Sequence, residues 1–472
     1  MRNFHLSLIC ALAVFSGCSS WKEPSAHSDE YPVIFPDYKD VTVPGNIAPL
    51  NFMLEGADYV QATLSSDVKE ILRVSGRDGI IEFPQSEWRS LLDKVKNGVI
   101  SVQVSAWNEE NPEGIMYRSF DIKVSDDLID GWLTYRLIEP GYVEWRQMGI
   151  YQRNLSTFEE IPVVTNRESS TNCVNCHHFP SHSSESMMYH MRGAGGGTFL
   201  YDKGVLNKID FTKIGPKKNV TYPAWHPDGE MIAFSSNTTR QIFYTEGKQQ
   251  VEVFDTASDL LVYDIHRGDV ITDPRFMTED VLETFPAWSH DGKYLYFASY
   301  KSASLPVLFT PDMHYDLVRV AFDSKTRTFG EKVDTLYNSR ISGGSVSHPR
   351  ISPDGRYLLY TLADYGTFPV WHREADLRMM DLETMEDVDV SVWNDCQESD
   401  SYHSWASGSR WVVFGSRRLD GRYTRLFLAY IDEDGKPHKP FLLPQEDPRQ
   451  NMWRLKSYNA PEFIKNKIDL PL

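Results

Sequence analysis

Downstream of residue 215 the apolar positions fall in short runs, each opened by the same punctuation. Tyr222-Pro223-Ala224-Trp225-His226-Pro227-Asp228-Gly229 precedes the apolar run 231–235. Phe285-Pro286-Ala287-Trp288-Ser289-His290-Asp291-Gly292 precedes 294–299, and His348-Pro349-Arg350-Ile351-Ser352-Pro353-Asp354-Gly355 precedes 357–361. A degenerate copy, Tyr402-His403-Ser404-Trp405-Ala406-Ser407-Gly408-Ser409, precedes 411–415. Asp-Gly tolerates positive φ and joins antiparallel strands. The runs are rich in β-branched and aromatic residues, which favour strands over helices. A second strand-like segment follows each run, at 259–265, 316–322, 376–382 and 425–431. Each unit therefore predicts four strands, with the Trp or Ile of the signature packed between neighbouring sheets.

Four-stranded units repeated in register are the blades of a β-propeller. The signature Pro-x-Trp-x-Pro-Asp-Gly resembles the TolB-like, PD40-type propeller repeat over residues 215–445. That resemblance implies six blades with the signature strands near a central channel. Four blades are explicit, and two weaker ones are placed upstream. One spans 131–164, with strands at 132–137 and 148–155. The other spans 166–215, with strands at 187–191, 197–201 and 205–209. The propeller is expected over 131–445, with a tail at 446–472 packing on it. Gly193 to Gly197 lacks the strand-then-helix context of a phosphate cradle and reads as a turn. Asp432-Glu433-Asp434-Gly435 reads as a hairpin turn.

Residues 31–128 lack the repeat. Alternation predicts short strands at 41–44, 48–54, 60–64, 99–106 and 117–124, and one amphipathic helix at 84–96. A small Ig-like β-sandwich is the expected fold there. The fold class as a whole is all-β.

The N-terminus adds a location. Arg2 and the apolar run 6–15 are too short for a bilayer span and are followed by Ser16-Gly17-Cys18. This resembles a bacterial lipobox and implies cleavage after residue 17 and lipidation of Cys18. Residues 18–30 would then be a polar tether to the cell envelope, through which the protein meets the membrane. The net charge of −18 and the lack of a concentrated basic patch argue against nucleic acid as a partner. Propeller peptidases carry a Gly-x-Ser-x-Gly elbow on an appended hydrolase domain, and that motif is missing here.

One chemical motif stands out. Cys173-Val174-Asn175-Cys176-His177 has the Cys-x-x-Cys-His spacing of c-type haem attachment. Two thiols at this separation reach both vinyl groups, and the adjacent imidazole reaches the iron. At this composition chance supplies such a motif roughly 0.002 times per chain. A plain disulfide, a thiol–disulfide redox pair and half of a zinc site are the competing readings. The second axial ligand is sought among His178, His182, Met187, Met188, His190 and Met191, with His190 preferred and Met191 next. His348 and His403, which open later signature strands, are further candidates. Covalent haem c with His177 as proximal ligand leads to an envelope lipoprotein that transfers or senses electrons with a redox partner protein or other envelope protein. A TolB-like module that binds proteins or glycans without haem is the alternative, and an enzyme using the haem is a third. Most of the chain, including the run Ser457-Tyr458-Asn459-Ala460-Pro461-Glu462-Phe463, also resembles propeller lipoproteins of Gram-negative bacteria that bear a single such motif.

Overall fold

The computed structural model describes residues 21–67, 69–140, 147–167, 172–247, 249–302 and 311–471. The leader and Cys18 lie outside the described residues. Each Asp-Gly signature forms the turn expected of it. Gly229, Gly292 and Gly355 adopt φ of 78°, 71° and 81°, and their amides close the turns onto His226, Ser289 and Ser352 carbonyls. In the degenerate copy Ser409 takes the same role at φ 61°.

These turns join the first two strands of four antiparallel sheets. They are Thr221–Trp225 with Met231–Phe243, Val281–Trp288 with Tyr294–Lys301, Ser345–Ile351 with Tyr357–Ala363, and Asp400–Trp405 with Trp411–Ser416. The third strands are Val251–Asp264, Asp316–Asp323, Asp376–Asp381 and Arg425–Tyr430. Two more four-stranded sheets lie upstream. One is Cys173–His178, Ser186–Arg192, Gly197–Asp202 and Val205–Ile209. The other takes Trp132–Ile138, Gly149–Asn154 and Glu160–Thr165 from the start of this region, and its fourth strand, Ser457–Ile464, from the end of the chain. The expected C-terminal tail thus contributes a strand, paired antiparallel with Trp132–Ile138. It buries Tyr458, Phe463 and Ile464 almost completely. Sewing the last strand to the first sheet removes two open edges at once.

The first strands of the sheets touch one another in sequence, and Ser457–Ile464 closes the cycle by touching both Asp400–Trp405 and Cys173–His178. The protein is therefore a β-propeller in its larger part. Signature tryptophans wedge between adjacent sheets: Trp288 Nε1 donates to the Ala224 carbonyl at 3.0 Å, and Trp405 Nε1 to the Arg350 carbonyl at 3.2 Å.

The preceding region folds as a seven-stranded and a three-stranded sheet with one helix, Gln85–Lys94. The helix buries Trp88, Leu91 and Leu92, the apolar face expected from the sequence. The strand Lys69–Arg77 was not among the expected ones. Its core is continuous with the propeller: Val41, Val102 and Trp88 share one apolar cluster with Tyr135, Trp411 and Leu428. Trp411 Nε1 donates to the Asp127 carbonyl at 2.8 Å across this junction. Part of the expected tether is also docked rather than free. Ala26–His27 pairs with Ile115–Met116, Lys22 lies over the Tyr59 ring and Arg73 over Trp21. Cation–π contacts of this kind hold the segment against the sheet. No helix among the described residues is long and apolar enough to cross a membrane.

Candidate functional site: an axial cavity walled by the inner strands

The inner strand of every four-stranded sheet slips register once. At each slip one non-glycine residue takes positive φ: Cys176 (50°), Tyr222 (47°), Phe285 (55°), His348 (53°), Tyr402 (50°) and Ala460 (46°). A left-handed conformation is costly for aromatic residues and marks places where the backbone re-aims a side chain. The six residues are therefore equivalent positions on six walls. All six line a single axial cavity of about 830 Å³, within the size range of small-molecule sites.

This equivalence places the Cys-x-x-Cys-His motif. Cys176 stands where other sheets carry Tyr222 or Phe285. His177 stands where they carry Pro223, Pro286, Pro349 and Pro461, and Phe179 where they carry Trp225 and Trp288. The motif has thus replaced the signature of one sheet on its innermost strand. Cys173, Cys176 and His177 all border the cavity, and both thiols are free. Cys173 is buried and takes a 3.4 Å contact from Asn175 Nδ2.

The Thr134 hydroxyl gives its proton to the Glu462 carbonyl at 2.9 Å and lies 3.2 Å from His177 Nε2. His177 Nε2 must then be the donor of that contact, which leaves Nδ1 as a buried lone pair with no partner. Burial, with Arg136 nearby, holds the His177 pKa down to about 3. The imidazole is neutral at physiological pH, the form that binds a metal.

The next position along the strand carries ionisable side chains on three sheets. His178, Arg350 and Glu462 occupy it on three sheets, where Ala224 and Ala287 stand on two others. His178 Nδ1 is 3.7 Å from Glu462 Oε1, and the same oxygen accepts from Phe179 N at 3.1 Å. Burial raises the Glu462 pKa to about 8 against the pull of Arg350. Burial and Arg350 hold His178 and His348 well below the usual imidazole range.

The preferred partners of the motif are elsewhere. His190 and Met191 lie on the second strand of that sheet, paired with Asn175 and Val174, and neither borders the cavity. His190 Nδ1 is bonded to Thr198 Oγ1 at 3.2 Å, and Met191 packs in an apolar cluster with Ile150, Val163 and Val174. The second strand of a blade faces neighbouring sheets rather than the axis, which is the physical reason. Met187 and Met188 are likewise fully buried in inter-sheet clusters. By contrast His178, His182, His348 and His403 do line the cavity. Arg136, Arg350 and Glu462 line it as well and were not singled out from the sequence. Their signal was available in the variable position of Pro349-Arg350-Ile351 and Pro461-Glu462-Phe463.

No protein-family model and no curated protein matches the sequence. Among solved structures, the chain is similar to a puromycin hydrolase at 13% identity and TM-score 0.39, over 66% of this chain and 45% of that one. It is similar to a Mycobacterium tuberculosis puromycin-hydrolyzing peptidase at 12% identity and TM-score 0.39, over 74% and 52%. An oligogalacturonate lyase from Vibrio parahaemolyticus matches at 11% identity and TM-score 0.34, over 64% and 92%. The chain spans about half the length of the two hydrolases. Likenesses this distant carry no argument about chemistry, so function is argued from the cavity.

Proposed function

We propose that this protein is a six-bladed β-propeller with a small Ig-like sandwich before it, lipid-anchored in the bacterial envelope through Cys18. Within it, Cys173 and Cys176 hold haem c covalently at the axial cavity, with His177 as proximal ligand. Its role is electron transfer or redox sensing with a partner protein of the envelope. The observation that carries this reading is the replacement of one blade's signature by the motif, on the strand that walls the cavity.

The residues present fit the group. Attachment needs two reduced thiols, and both are free here. Each thiol would add its S–H across a vinyl C=C, sulfur to one carbon and hydrogen to the other, with no net oxidation. The iron supplies one-electron chemistry, tuned by its axial ligands and by burial. This chain's own residues provide the rings of Tyr222, Phe285 and Tyr402, the neutral His177 imidazole and the guanidinium groups of Arg136 and Arg350 to balance carboxylates.

Expression of the full chain in a host competent in cytochrome c maturation, followed by an absorbance scan and pyridine haemochrome assay, tests the proposal. A Soret band with a c-type haemochrome is expected. A colourless protein whose mass is two hydrogens short would instead support a Cys173–Cys176 disulfide and the non-haem binding module.

A further inference from the structure

We propose that His348 is the second axial ligand, reaching the iron from the wall opposite the motif; this rests on the haem reading above. Three observations converge on this residue. The first is its place in the ring. Cys176 lies on the second sheet and His348 on the fifth, three sheets apart whichever way the closed cycle is followed. Both sit at the same positive-φ position of their inner strands, so they face each other across the axis at one level.

The second observation is the shape of that level. Tyr222 meets Phe285 at 4.3 Å between ring centroids, Phe285 meets His348 at 4.0 Å, and His348 meets Tyr402 at 4.5 Å. These four rings form an arc over four of the six walls. The remaining two walls carry Cys176 and Ala460, the smallest side chains of the set. The space at this level therefore opens beside the cysteine that would carry the macrocycle, with His348 inside the aromatic arc that faces it. Aromatic rings in tilted contact suit a flat apolar guest.

The third observation is the unmet bonding capacity of His348. It is 7% exposed and lines the cavity, yet neither Nδ1 nor Nε2 has a hydrogen-bond partner. A buried imidazole with both nitrogens unpaired is rare, and such a group calls for a ligand. Of the other histidines on the cavity wall, His290 is exposed and each of the rest has a partner on at least one nitrogen. His403 Nε2 bonds the Leu359 carbonyl at 3.1 Å, His182 Nδ1 the Phe463 carbonyl at 3.1 Å, and His178 Nδ1 lies 3.4 Å from Trp225 N. Ligation by His348 would fill the sixth position with a nitrogen donor, making the centre suited to electron transfer rather than to capture of gases or peroxide.

The test compares the full-length wild type with His348→Phe and His348→Ala from the same maturation-competent cells. His348→Phe keeps a ring between Phe285 and Tyr402, so loss of packing does not confuse the outcome. Pyridine haemochrome measures loading, and ferric absorption and electron paramagnetic resonance measure coordination. The expected result is equal loading in all three, a low-spin wild type and two high-spin variants, with added imidazole returning His348→Ala to low spin. A wild type that is already high-spin, or a His348→Phe spectrum identical to a low-spin wild type, overturns the assignment while the haem reading stands. Absence of haem from all three, with a control cytochrome from the same cells loaded, overturns both.

Discussion

Replacing His372 by Ala should cost about 3–5 kcal/mol, because it leaves a carboxylate buried without its counter-ion. Strands Met231–Phe243 and Val251–Asp264 extend well past their neighbours in the same sheet. The tip of this hairpin carries Glu252, whose Oε2 lies 2.7 Å from His372 Nε2, both side chains being 1% exposed. His372 follows the turn Pro369–Trp371, which belongs to a loop two sheets further on. The pair therefore latches the hairpin to a distant wall, beside the cluster of Val251, Val370 and Trp371. Glu374 Oε1 sits 3.1 Å from His372 Nδ1. Burial alone would lower the pKa of this imidazole, but its hydrogen bonds to Glu252 and Glu374 outweigh that and raise it from 6.5 to about 9. A raised histidine pKa stabilises the fold fully below the unfolded value of 6.5, and the contribution is lost as pH rises through 9. Linkage over that interval is worth about 3 kcal/mol, in line with the cost of breaking a buried pair. Urea unfolding of wild type and His372→Ala at pH 6 and pH 9 measures both quantities. The gap should be large at pH 6 and nearly closed at pH 9. A gap below about 1 kcal/mol at pH 6, or one that does not change with pH, would mean that the pair contributes no more than an exposed salt bridge.

Two other substitutions address the fold. Glu283 is 2% exposed with Oε2 unpartnered, and burial, with Asp259 and Asp280 nearby, pushes its pKa up to about 9. A carboxyl group that keeps its proton only when folded loses stability as pH rises above 4.5, so Glu283→Gln should gain on wild type by about 1 kcal/mol per pH unit between pH 5 and 8. Parallel urea titrations at pH 6 and 8 check the slope, and identical pH dependence of the two proteins would count against it. Phe463 is fully buried on the closing strand, opposite Leu133. Phe463→Ala should cost about 3–5 kcal/mol in the same assay. A cost near zero would mean that the ring is not held shut by the chain's last strand.

The repeats made most of the propeller legible because their signal is local. Asp228-Gly229, Asp291-Gly292 and Asp354-Gly355 fix turns by backbone chemistry, and the strands beside them follow from alternation. Closure was not legible in the same way. Ser457–Ile464 pairs with a strand more than 300 residues earlier, and no turn links the two. Its Pro461-Glu462-Phe463 does repeat the spacing of Pro223-Ala224-Trp225, a clue that becomes readable once the ring is known. The apolar pattern of the extended hairpin reaches only residue 235, because Asn237 to Gln241 is polar, and its order comes from contacts with distant loops. In the cavity, the thiols and His177 announced themselves by spacing. The companions that spacing suggests are sequence neighbours, His190 and Met191, whereas the cavity is built from equivalent positions on six separated strands. His348 is remote from the motif along the chain and near it only through the closed ring.

Haem held by Cys173 and Cys176 on the inner wall of the propeller would stay on the chain when it unfolds, because thioether bonds are covalent. Intact mass under denaturing conditions, on protein matured in a cytochrome-competent host, tests it most directly. One haem retained per chain after unfolding is expected, and none on Cys173→Ser/Cys176→Ser. A wild-type mass equal to the bare, lipid-corrected polypeptide, from cells that load a control cytochrome, would contradict it.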